Sequence, residues 1–171
     1  GFDISAPAVT RAKIKYPKGR FHLLSSGIDE IVSEFGRPDV LWCRDVVMHQ
    51  DNPYRFLDQL ISLSRDSVIL RLRTRDVGDT VFDSEMSCQL HWDKYWVPYI
   101  VLNTDELIQK IRAHGDVKKI VLSRHYEVLG GHNYRFLPKE LYFKNTGTAE
   151  TAVFIQKGRR TGGTAEVFFL D

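Results

Sequence analysis

The sequence predicts an α/β fold in which a mostly parallel β-sheet carries helices on both of its faces. Short apolar runs typical of buried strands alternate with segments of about ten residues that have helical periodicity. Strands and helices that alternate in this way form βαβ units with right-handed crossovers. Two later apolar runs, 117–128 and 149–156, have no clear helix between them, which predicts an antiparallel pair at one edge of the sheet.

The first predicted strand and helix lie at the start of the sequence. Residues 1–5 have the character of a strand that leads into a helix, because Ser5 can cap that helix and Pro7 suits its first turn. Apolar side chains then recur at helical spacing at Val9, Ala12 and Tyr16. Ligands of open α/β sheets bind at the carboxyl ends of parallel strands, so Asp3 is placed to bind the two hydroxyls of a nucleotide ribose. The alternative is that Asp3 only interacts favourably with the helix dipole.

A second strand and helix follow. Residues 21–24 form a short apolar run that ends at the turn of residues 25–27. The next helix has apolar side chains spaced at i, i+3, i+4 and i+7, and Gly36 is expected to end it with a left-handed cap. These side chains are Ile28, Ile31, Val32 and Phe35. Residues 39–43, which are apolar after Asp39, are expected to form the strand after this helix.

The same alternation continues for one more unit. A polar stretch that ends at Asn52 and Pro53 precedes a segment whose apolar residues mark another helix face. These residues are Phe56, Leu57, Leu60 and Ile61. Residues 67–73 are then predicted to form a strand, because they are rich in β-branched and apolar residues.

The alternation lapses between residues 74 and 99. This segment is polar and aromatic and long for a plain connection, and such a loop is typical of a lid, a substrate wall or an interface. Asn103 can cap the helix that follows, with Glu106 as its capping-box partner, and Gly115 is expected to end that helix.

Composition predicts one globular domain. The chain has 171 residues, of which 43% are hydrophobic, and its formal net charge of +2 comes from scattered basic residues, so no nucleic-acid partner is expected. No apolar run approaches the roughly 20 residues that span a bilayer, and no secretory leader is evident. A cytoplasmic protein with no membrane partner is therefore expected. Cys43 and Cys88 make no metal-ligand spacing, which predicts free thiols and no metal site, with a disulfide as the alternative.

Two stretches resemble the class I S-adenosylmethionine-dependent methyltransferase family, entered at its second strand. They are residues 1–17, with the strand, the helix and the Tyr16-Pro17 pair, and residues 39–49. The similarity runs over residues 1–157, and residues 158–171 form a tail with a possible extra strand. The resemblance implies a Rossmann-like three-layer sandwich and S-adenosyl-L-methionine as cofactor. It also implies an enzyme that transfers a methyl group to a small or medium polar acceptor, a small-molecule substrate.

The resemblance also implies a set of cofactor contacts. Asp3 would accept hydrogen bonds from the ribose hydroxyls, and Ile4 would lie against the adenine. The turn of Ser25, Ser26 and Gly27 would contact the adenine edge, although the family usually has an aspartate there. The methionine part would be faced by Cys43, Arg44 and Asp45. No glycine-rich turn precedes residue 1, so the expected cofactor site is only half built.

Catalytic and substrate-binding residues are predicted from His49 onward. The resemblance places His49 where some family members have a general base, and the alternative is a structural histidine. Arg71, Arg73 and Arg75 alternate along one strand, and Arg73 is predicted to bind an anionic group of the substrate. The alternative is ion pairing with carboxylates that follow the strand, namely Asp76, Asp79 or Asp83. An acceptor pocket would be walled by Trp92, Tyr95, Trp96 and Tyr99, although aromatic clusters also form cores and interfaces.

The end of the sequence predicts one more strand, and two other functions are compatible with the sequence. Residues 164–170 form an apolar run that is predicted to fill a slot between the second and fourth strands of the family fold. If the run came from a neighbouring chain, it would make a homo-oligomer. One rival function is a non-catalytic, truncated methyltransferase-like domain that acts in protein interaction. The other is a nicotinamide-dependent oxidoreductase, in which a carboxylate after the second strand also binds a ribose.

Overall fold

The computed structural model describes residues 1–91, 94–159 and 163–170. The chain divides into two compact units, Gly1–Pro38 and Asp39–Asp171. Trp92, which is predicted to line an acceptor pocket, lies outside the described residues. Each unit is described by itself below.

The first unit contains two strands and two helices in strict alternation. They are β1 (Phe2–Asp3), α1 (Ala6–Lys15), β2 (His22–Leu23) and α2 (Asp29–Phe35). The two strands pair in parallel, with Phe2 opposite His22. The hydroxyl of Ser5 caps α1 by accepting a hydrogen bond from the Ala8 amide at 3.3 Å. Gly36 ends α2 at φ 74°, so both predicted helix boundaries are confirmed.

The second unit contains the remaining elements. Its strands are β3 (Val40–Arg44), β4 (Ser67–Arg75), β5 (Cys88–His91), β6 (Tyr95–Pro98), β7 (Leu102–Asn103), β8 (Val117–Tyr126), β9 (Arg135–Phe136), β10 (Ala149–Lys157) and β11 (Glu166–Leu170). Its α-helices are α3 (Pro53–Leu63) and α4 (Thr104–Arg112), and three 3-10 helices span Val47–His49, Lys139–Tyr142 and Lys144–Thr146. Since α3, the longest described helix, has 11 residues, no helix in the described ranges could cross a membrane.

The main sheet is mostly parallel, as the sequence predicts. Its strand order is β11-β8-β10-β4-β3, and β7 pairs with the end of β4. Only β10 runs against the other described strands, since it is antiparallel to both β4 and β8. The predicted antiparallel pair of β8 and β10 is therefore confirmed. Its predicted position at the sheet edge is wrong, because β11 lies outside β8.

The prediction that the tail strand fills a slot between the second and fourth strands is wrong. β11 pairs in parallel with β8, at the opposite edge of the main sheet from β3. The free edge of β8 offers an unpaired row of backbone groups, and a strand added there satisfies them. Val167 and Phe169 of β11 lie opposite Ile120 and Leu122, so the tail also extends the apolar pattern of β8.

Helices α3 and α4 cover one face of the main sheet. The β4 residues on this face, Val68, Leu70 and Leu72, are fully buried, and Leu57 and Leu107 of the two helices are buried as well. This layer is the hydrophobic core of the second unit. Lys157, at the end of β10, is also buried here, and its ammonium donates to the carbonyls of Ile61 and Ser64 at the end of α3.

The start of α4 follows the prediction, and its end does not. Asn103 caps the helix by accepting a hydrogen bond from the Glu106 amide at 3.0 Å. The Glu106 side chain does not complete the predicted capping box. Its carboxylate instead accepts hydrogen bonds from the Thr80 hydroxyl at 2.6 Å and from the Tyr54 hydroxyl at 2.9 Å. The helix ends at Arg112, before Gly115, so Gly115 is not its cap.

The segment predicted as a long loop contains a β-hairpin. β5 and β6 pair antiparallel, and β9 adds to β5 to give a three-stranded sheet in the order β6-β5-β9. A second apolar cluster holds this part of the unit together, and it consists of Met48, Tyr99, Val101, Leu129, Leu137 and Leu141. The sequence gives little sign of the hairpin, because each of its strands has only four residues and neither alternates clearly between polar and apolar residues.

Candidate functional site

Charged side chains gather where β3 and β4 end in the second unit. We refer to them as the charged cluster, and they are Arg44, Asp45, Arg71, Arg73, Glu127 and Glu150. Arg71 and Arg73 project from the same face of β4, because side chains alternate along a strand. Glu150 is the second residue of the neighbouring β10 and lies directly opposite Arg73. Strand register therefore brings residues from distant parts of the chain into one site.

Asp45 is held in an uncommon backbone conformation at the end of β3. Its φ of 55° is the only positive value among the described non-glycine residues, and Asp is one of the residues that tolerate it. Its amide donates to the Arg71 carbonyl at 2.9 Å, and its carboxylate accepts two hydrogen bonds from the Arg71 guanidinium. Arg44, which is exposed, also lies 3.4 Å from this carboxylate. Asp45 is thus already paired with two arginines.

Arg73 is the most buried side chain of the charged cluster, with 11% of it exposed. Its Nη2 lies 2.9 Å from Glu150 Oε2 and its Nη1 lies 3.9 Å from Asp45 Oδ1. Its Nε lies 3.4 Å from Glu127 Oε1 but makes no hydrogen bond. Arg73 therefore forms ion pairs, as the alternative interpretation of the sequence predicts. Its partners are not the predicted aspartates that follow the strand.

The third arginine of β4 and the carboxylate after it have separate roles. Arg75 is buried, donates to the Val77 carbonyl at 2.7 Å and pairs with Glu140 at 3.1 Å. Asp76 accepts hydrogen bonds from Arg124 and from Tyr126 on β8. These contacts hold together the polypeptide that follows β4. Of the three arginines on β4, only Arg71 and Arg73 therefore belong to the charged cluster.

His49 ends the first 3-10 helix, and its hydrogen bond to the backbone determines which ring nitrogen carries the proton. Its Nδ1 lies 2.6 Å from the carbonyl oxygen of Pro98, which can only accept, so Nδ1 carries the proton. Nε2 then holds a lone pair, and no described residue bonds to it. Burial lowers the pKa of His49, although the hydrogen bond to Pro98 opposes this effect. The imidazole is therefore neutral at physiological pH and able to accept a proton at Nε2.

The lowered pKa of His49 predicts a pH dependence of stability. The unfolded chain binds a proton at His49 near pH 6.5, whereas the folded chain binds it only at lower pH. Stability from this group is thus fully present above about pH 6.5 and decreases as the pH falls toward the folded pKa. His49→Gln should flatten this part of the curve, as measured by urea unfolding between about pH 5 and pH 7. An unchanged slope in the variant would show that His49 does not titrate in this way.

Tyr99 packs beside His49 and was predicted only as one of several aromatics. The two ring centroids are 5.8 Å apart in an edge-on arrangement, and the guanidinium of Arg135 lies 4.6 Å above the Tyr99 ring. Tyr99 is 1% exposed, and its hydroxyl has no hydrogen-bond partner in the described part of the chain. The predicted wall residues Tyr95 and Trp96 lie on β6 and are largely exposed.

Three residues of this site were not predicted, namely Glu127, Arg135 and Glu150. Glu127 follows β8, Arg135 lies on β9 and Glu150 lies on β10. The sequence of β10 gives no clear signal for where Glu150 points, because its residues do not alternate regularly between polar and apolar types. The pairing of Glu150 with Arg73 depends on the register of β10 against β4, which cannot be read from a single sequence.

Cys43 lies on β3 next to the charged cluster. It is buried, and desolvation raises the pKa of its thiol to about 12. The thiol therefore stays protonated near neutral pH, and a protonated thiol is a poor nucleophile. Cys43 and Cys88 are both free, as the sequence predicts.

The predicted ribose contact lies in the first unit. Asp3 is exposed at the carboxyl end of β1, and its Oδ1 accepts a hydrogen bond from the Ser5 amide at 2.8 Å. Its Oδ2 has no hydrogen-bond partner among the described residues. Ile4, the next residue, is 82% exposed. A free carboxylate oxygen beside an exposed apolar side chain fits the ribose and adenine of a nucleoside.

The turn predicted to contact the adenine edge is already bonded within the unit. The Glu30 carboxylate accepts hydrogen bonds from the amides of Ser25 and Ser26 at 2.9 and 3.0 Å. These bonds, with Ser26 the stronger influence, lower the pKa of Glu30. Gly27 has φ 106°, a conformation that favours glycine. The two amides fit an adenine only if the Glu30 side chain moves away.

Comparison with known proteins shows a similarity of fold. One similar solved structure is the O-methyltransferase from the trans-AT PKS multienzyme of Brevibacillus brevis in complex with S-adenosyl-L-homocysteine. The TM-score is 0.53 and the sequence identity 13%, with 92% of this chain and 58% of that chain covered. The chain thus has a methyltransferase-like fold and spans less than two thirds of the solved chain. No protein-family model matches the sequence, and no curated protein matches it either.

Proposed function

We propose that the chain is an S-adenosylmethionine-dependent methyltransferase, or a part of one, that acts on a small or medium polar acceptor. The observation that carries this proposal is the methyltransferase-like fold over 92% of the chain. Further support comes from strand β10, which runs against its neighbours β4 and β8, since the family resemblance of the sequence implies such a pair. The proposal includes the three-layer Rossmann-like sandwich of that family.

His49 is proposed as the general base. S-adenosylmethionine supplies a sulfonium methyl group that an in-line nucleophile can attack. A hydroxyl or amine of the acceptor must lose its proton when it forms the new bond to carbon. Nε2 of His49 is unprotonated and has no partner in the described residues, so it can take that proton. Arg73 and the aromatic residues Trp92, Tyr95 and Trp96 are proposed to bind the acceptor.

The cofactor contacts are proposed from the family resemblance and supported by local geometry. Asp3 would accept from the ribose hydroxyls through its free Oδ2, and Ile4 would lie against the adenine. Cys43, Arg44 and Asp45 would face the methionine part, to which the exposed guanidinium of Arg44 offers charge-assisted hydrogen bonds. Ser25, Ser26 and Gly27 would reach the adenine edge once Glu30 releases their amides.

Replacing Asp3 by Asn tests the ribose contact. The amide keeps Oδ1 for the Ser5 contact but removes the negative charge, so the affinity for S-adenosyl-L-homocysteine should fall about tenfold or more. Isothermal titration calorimetry on the full chain measures this change. Glu34→Gln removes an exposed carboxylate from the same unit and serves as the matched control, with no change expected. Equal affinities for the Asp3 variant and the wild type would reject the assignment of Asp3.

One observation favours a non-catalytic domain as the second candidate function. Glu30 occupies the amides that an adenine would need, as expected of a unit that does not bind nucleosides. The same calorimetry separates the two functions, because this candidate predicts no heat with S-adenosyl-L-homocysteine even at millimolar concentration. A parallel titration with NADH tests the nicotinamide alternative, which predicts tighter binding of NADH.

The partners follow from the proposed activity. We expect a small-molecule substrate and neither nucleic acid nor membrane as a partner. A homo-oligomer through the tail strand also remains a proposal. β11 supports it, since it lies at the end of the main sheet and its outer side pairs with no described strand.

A further inference from the structure

Two buried side-chain atoms next to the charged cluster make no well-formed hydrogen bond, although one of them, Arg73 Nε, lies 3.4 Å from Glu127. Tyr99 Oη and Arg73 Nε are the two buried side-chain polar atoms in the described residues that lack a hydrogen-bond partner. Arg73 lies beside Tyr99 and acts, through its charge and through hydrogen bonding, to lower the pKa of the Tyr99 hydroxyl, although the contact falls short of a well-formed hydrogen bond. An unpaired buried polar atom is costly and uncommon. Two such atoms in one place indicate that a partner group belongs there.

The missing partner is an oxygen acceptor. Burial raises the pKa of Tyr99, so its hydroxyl keeps its proton and can donate it. Arg73 Nε carries a hydrogen and has no lone pair to offer, so it can only donate. A group that satisfies both atoms must therefore accept hydrogen bonds.

The charges around these atoms specify an anion. Arg135 donates to the Gln89 side chain at 3.1 Å and to the Leu129 carbonyl at 3.3 Å, and both of these partners are neutral. No carboxylate in the described ranges pairs with Arg135. The charged cluster and Arg135 together contain four guanidiniums and three carboxylates, a formal excess of one positive charge, although Arg44 is largely exposed to solvent. One negative charge on a ligand would balance it.

The position of the Tyr99 hydroxyl is set by its surroundings. The Tyr99 amide donates to the Ser87 carbonyl at 2.9 Å, and the Ser87 hydroxyl donates to the Tyr99 carbonyl at 2.7 Å. The ring packs in the second apolar cluster and under the Arg135 guanidinium. Because the backbone and ring are held on all these sides, the hydroxyl cannot easily turn to another partner.

We propose that Tyr99 Oη, Arg73 Nε and the Arg135 guanidinium bind a carboxylate, and that the methyl acceptor is therefore a small carboxylic acid. Tyrosine and arginine donors together suit the two oxygens of a carboxylate. The His49 ring packs against Tyr99, so the bound acid would lie close to the proposed base. The identity of this ligand as the methyl acceptor rests on the proposed function, whereas the carboxylate subsite does not.

Binding of benzoate to the full chain tests the subsite, with benzamide as its neutral counterpart. We expect benzoate to bind at least tenfold more tightly than benzamide, as measured by the shifts of backbone and arginine Nε–H signals in nuclear magnetic resonance titrations. Tyr99→Phe keeps the ring, and Arg135→Gln keeps hydrogen-bonding capacity without the charge. Each variant should weaken benzoate binding about tenfold. Tyr126→Phe removes a hydroxyl that bonds to Asp76 instead and should leave the affinity unchanged.

The outcomes separate the subsite from the proposed function. If benzoate and benzamide bind equally, or if neither binds, the two donors are satisfied by water only and the proposal is overturned. Unchanged benzoate affinity in Tyr99→Phe, with an undiminished melting temperature, would also overturn it. If benzoate binds as expected but S-adenosyl-L-homocysteine does not, the carboxylate subsite stands and the methyltransferase function fails.

Discussion

Replacing Lys157 by Met should lower the free energy of unfolding by about 3 kcal/mol. The Lys157 side chain is 4% exposed, and its Nζ donates to the carbonyl oxygens of Ile61 and Ser64 at 2.7 and 2.8 Å. These carbonyls lie at the end of α3, where the helix itself supplies no donors. Methionine has a similar length but cannot donate, so both carbonyls would lose the hydrogen bond from the Lys157 ammonium. Urea unfolding of the full chain measures the loss.

A second variant separates the carbonyl contacts from the ion pair of Lys157. Its ammonium also lies 3.0 Å from Asp116, a carboxylate that is 57% exposed. An exposed partner contributes little, so Asp116→Asn should cost about 0.5 kcal/mol or less. Lys118→Met, which removes an exposed lysine of β8, controls for the change in net charge and should have a similarly small effect. A loss below about 1 kcal/mol for Lys157→Met would mean that water replaces the ammonium at the end of α3.

Replacing Arg73 by Met should also cost about 3 kcal/mol of stability. Arg73 lies within ion-pairing distance of Glu150, Glu127 and Asp45, and it is the least exposed member of the charged cluster. Its removal would leave three carboxylates near one another with Arg71 as the main compensating charge. The cost should depend little on salt, because a buried pair is screened less than an exposed one. Urea unfolding at low and high ionic strength tests both statements.

An exposed arginine provides the matched control for Arg73. Arg65 lies 3.4 Å from Asp39, and both side chains are largely exposed. Arg65→Met should therefore cost about 0.5 kcal/mol or less, and that cost should decrease further in high salt. Adding Glu150→Gln to Arg73→Met should recover part of the lost stability, because it removes one unpaired carboxylate. If the single variant is as stable as the wild type, the charged cluster does not stabilise the fold.

Helix boundaries could be predicted where a side chain bonds to the backbone a few residues away. Ser5 and Asn103 cap α1 and α4 as expected, and Gly36 ends α2 in a left-handed conformation. Gly115 fails as a helix end although the residue type is right. Capping signals identify a helix start more sharply than its end, since helices commonly end before the glycine that follows them. The antiparallel pair of β8 and β10 could also be predicted from the sequence, because two long apolar strands without a helix between them can pair in few other ways.

The sequence by itself determined the alternation of strands and helices and the starts of α1 and α4, because caps and apolar periodicity act over a few residues. The tertiary structure alone decided that β11 lies beside β8, that Glu150 faces Arg73 and that the Tyr99 hydroxyl is buried without a partner. Strand register and burial depend on residues that are distant along the chain.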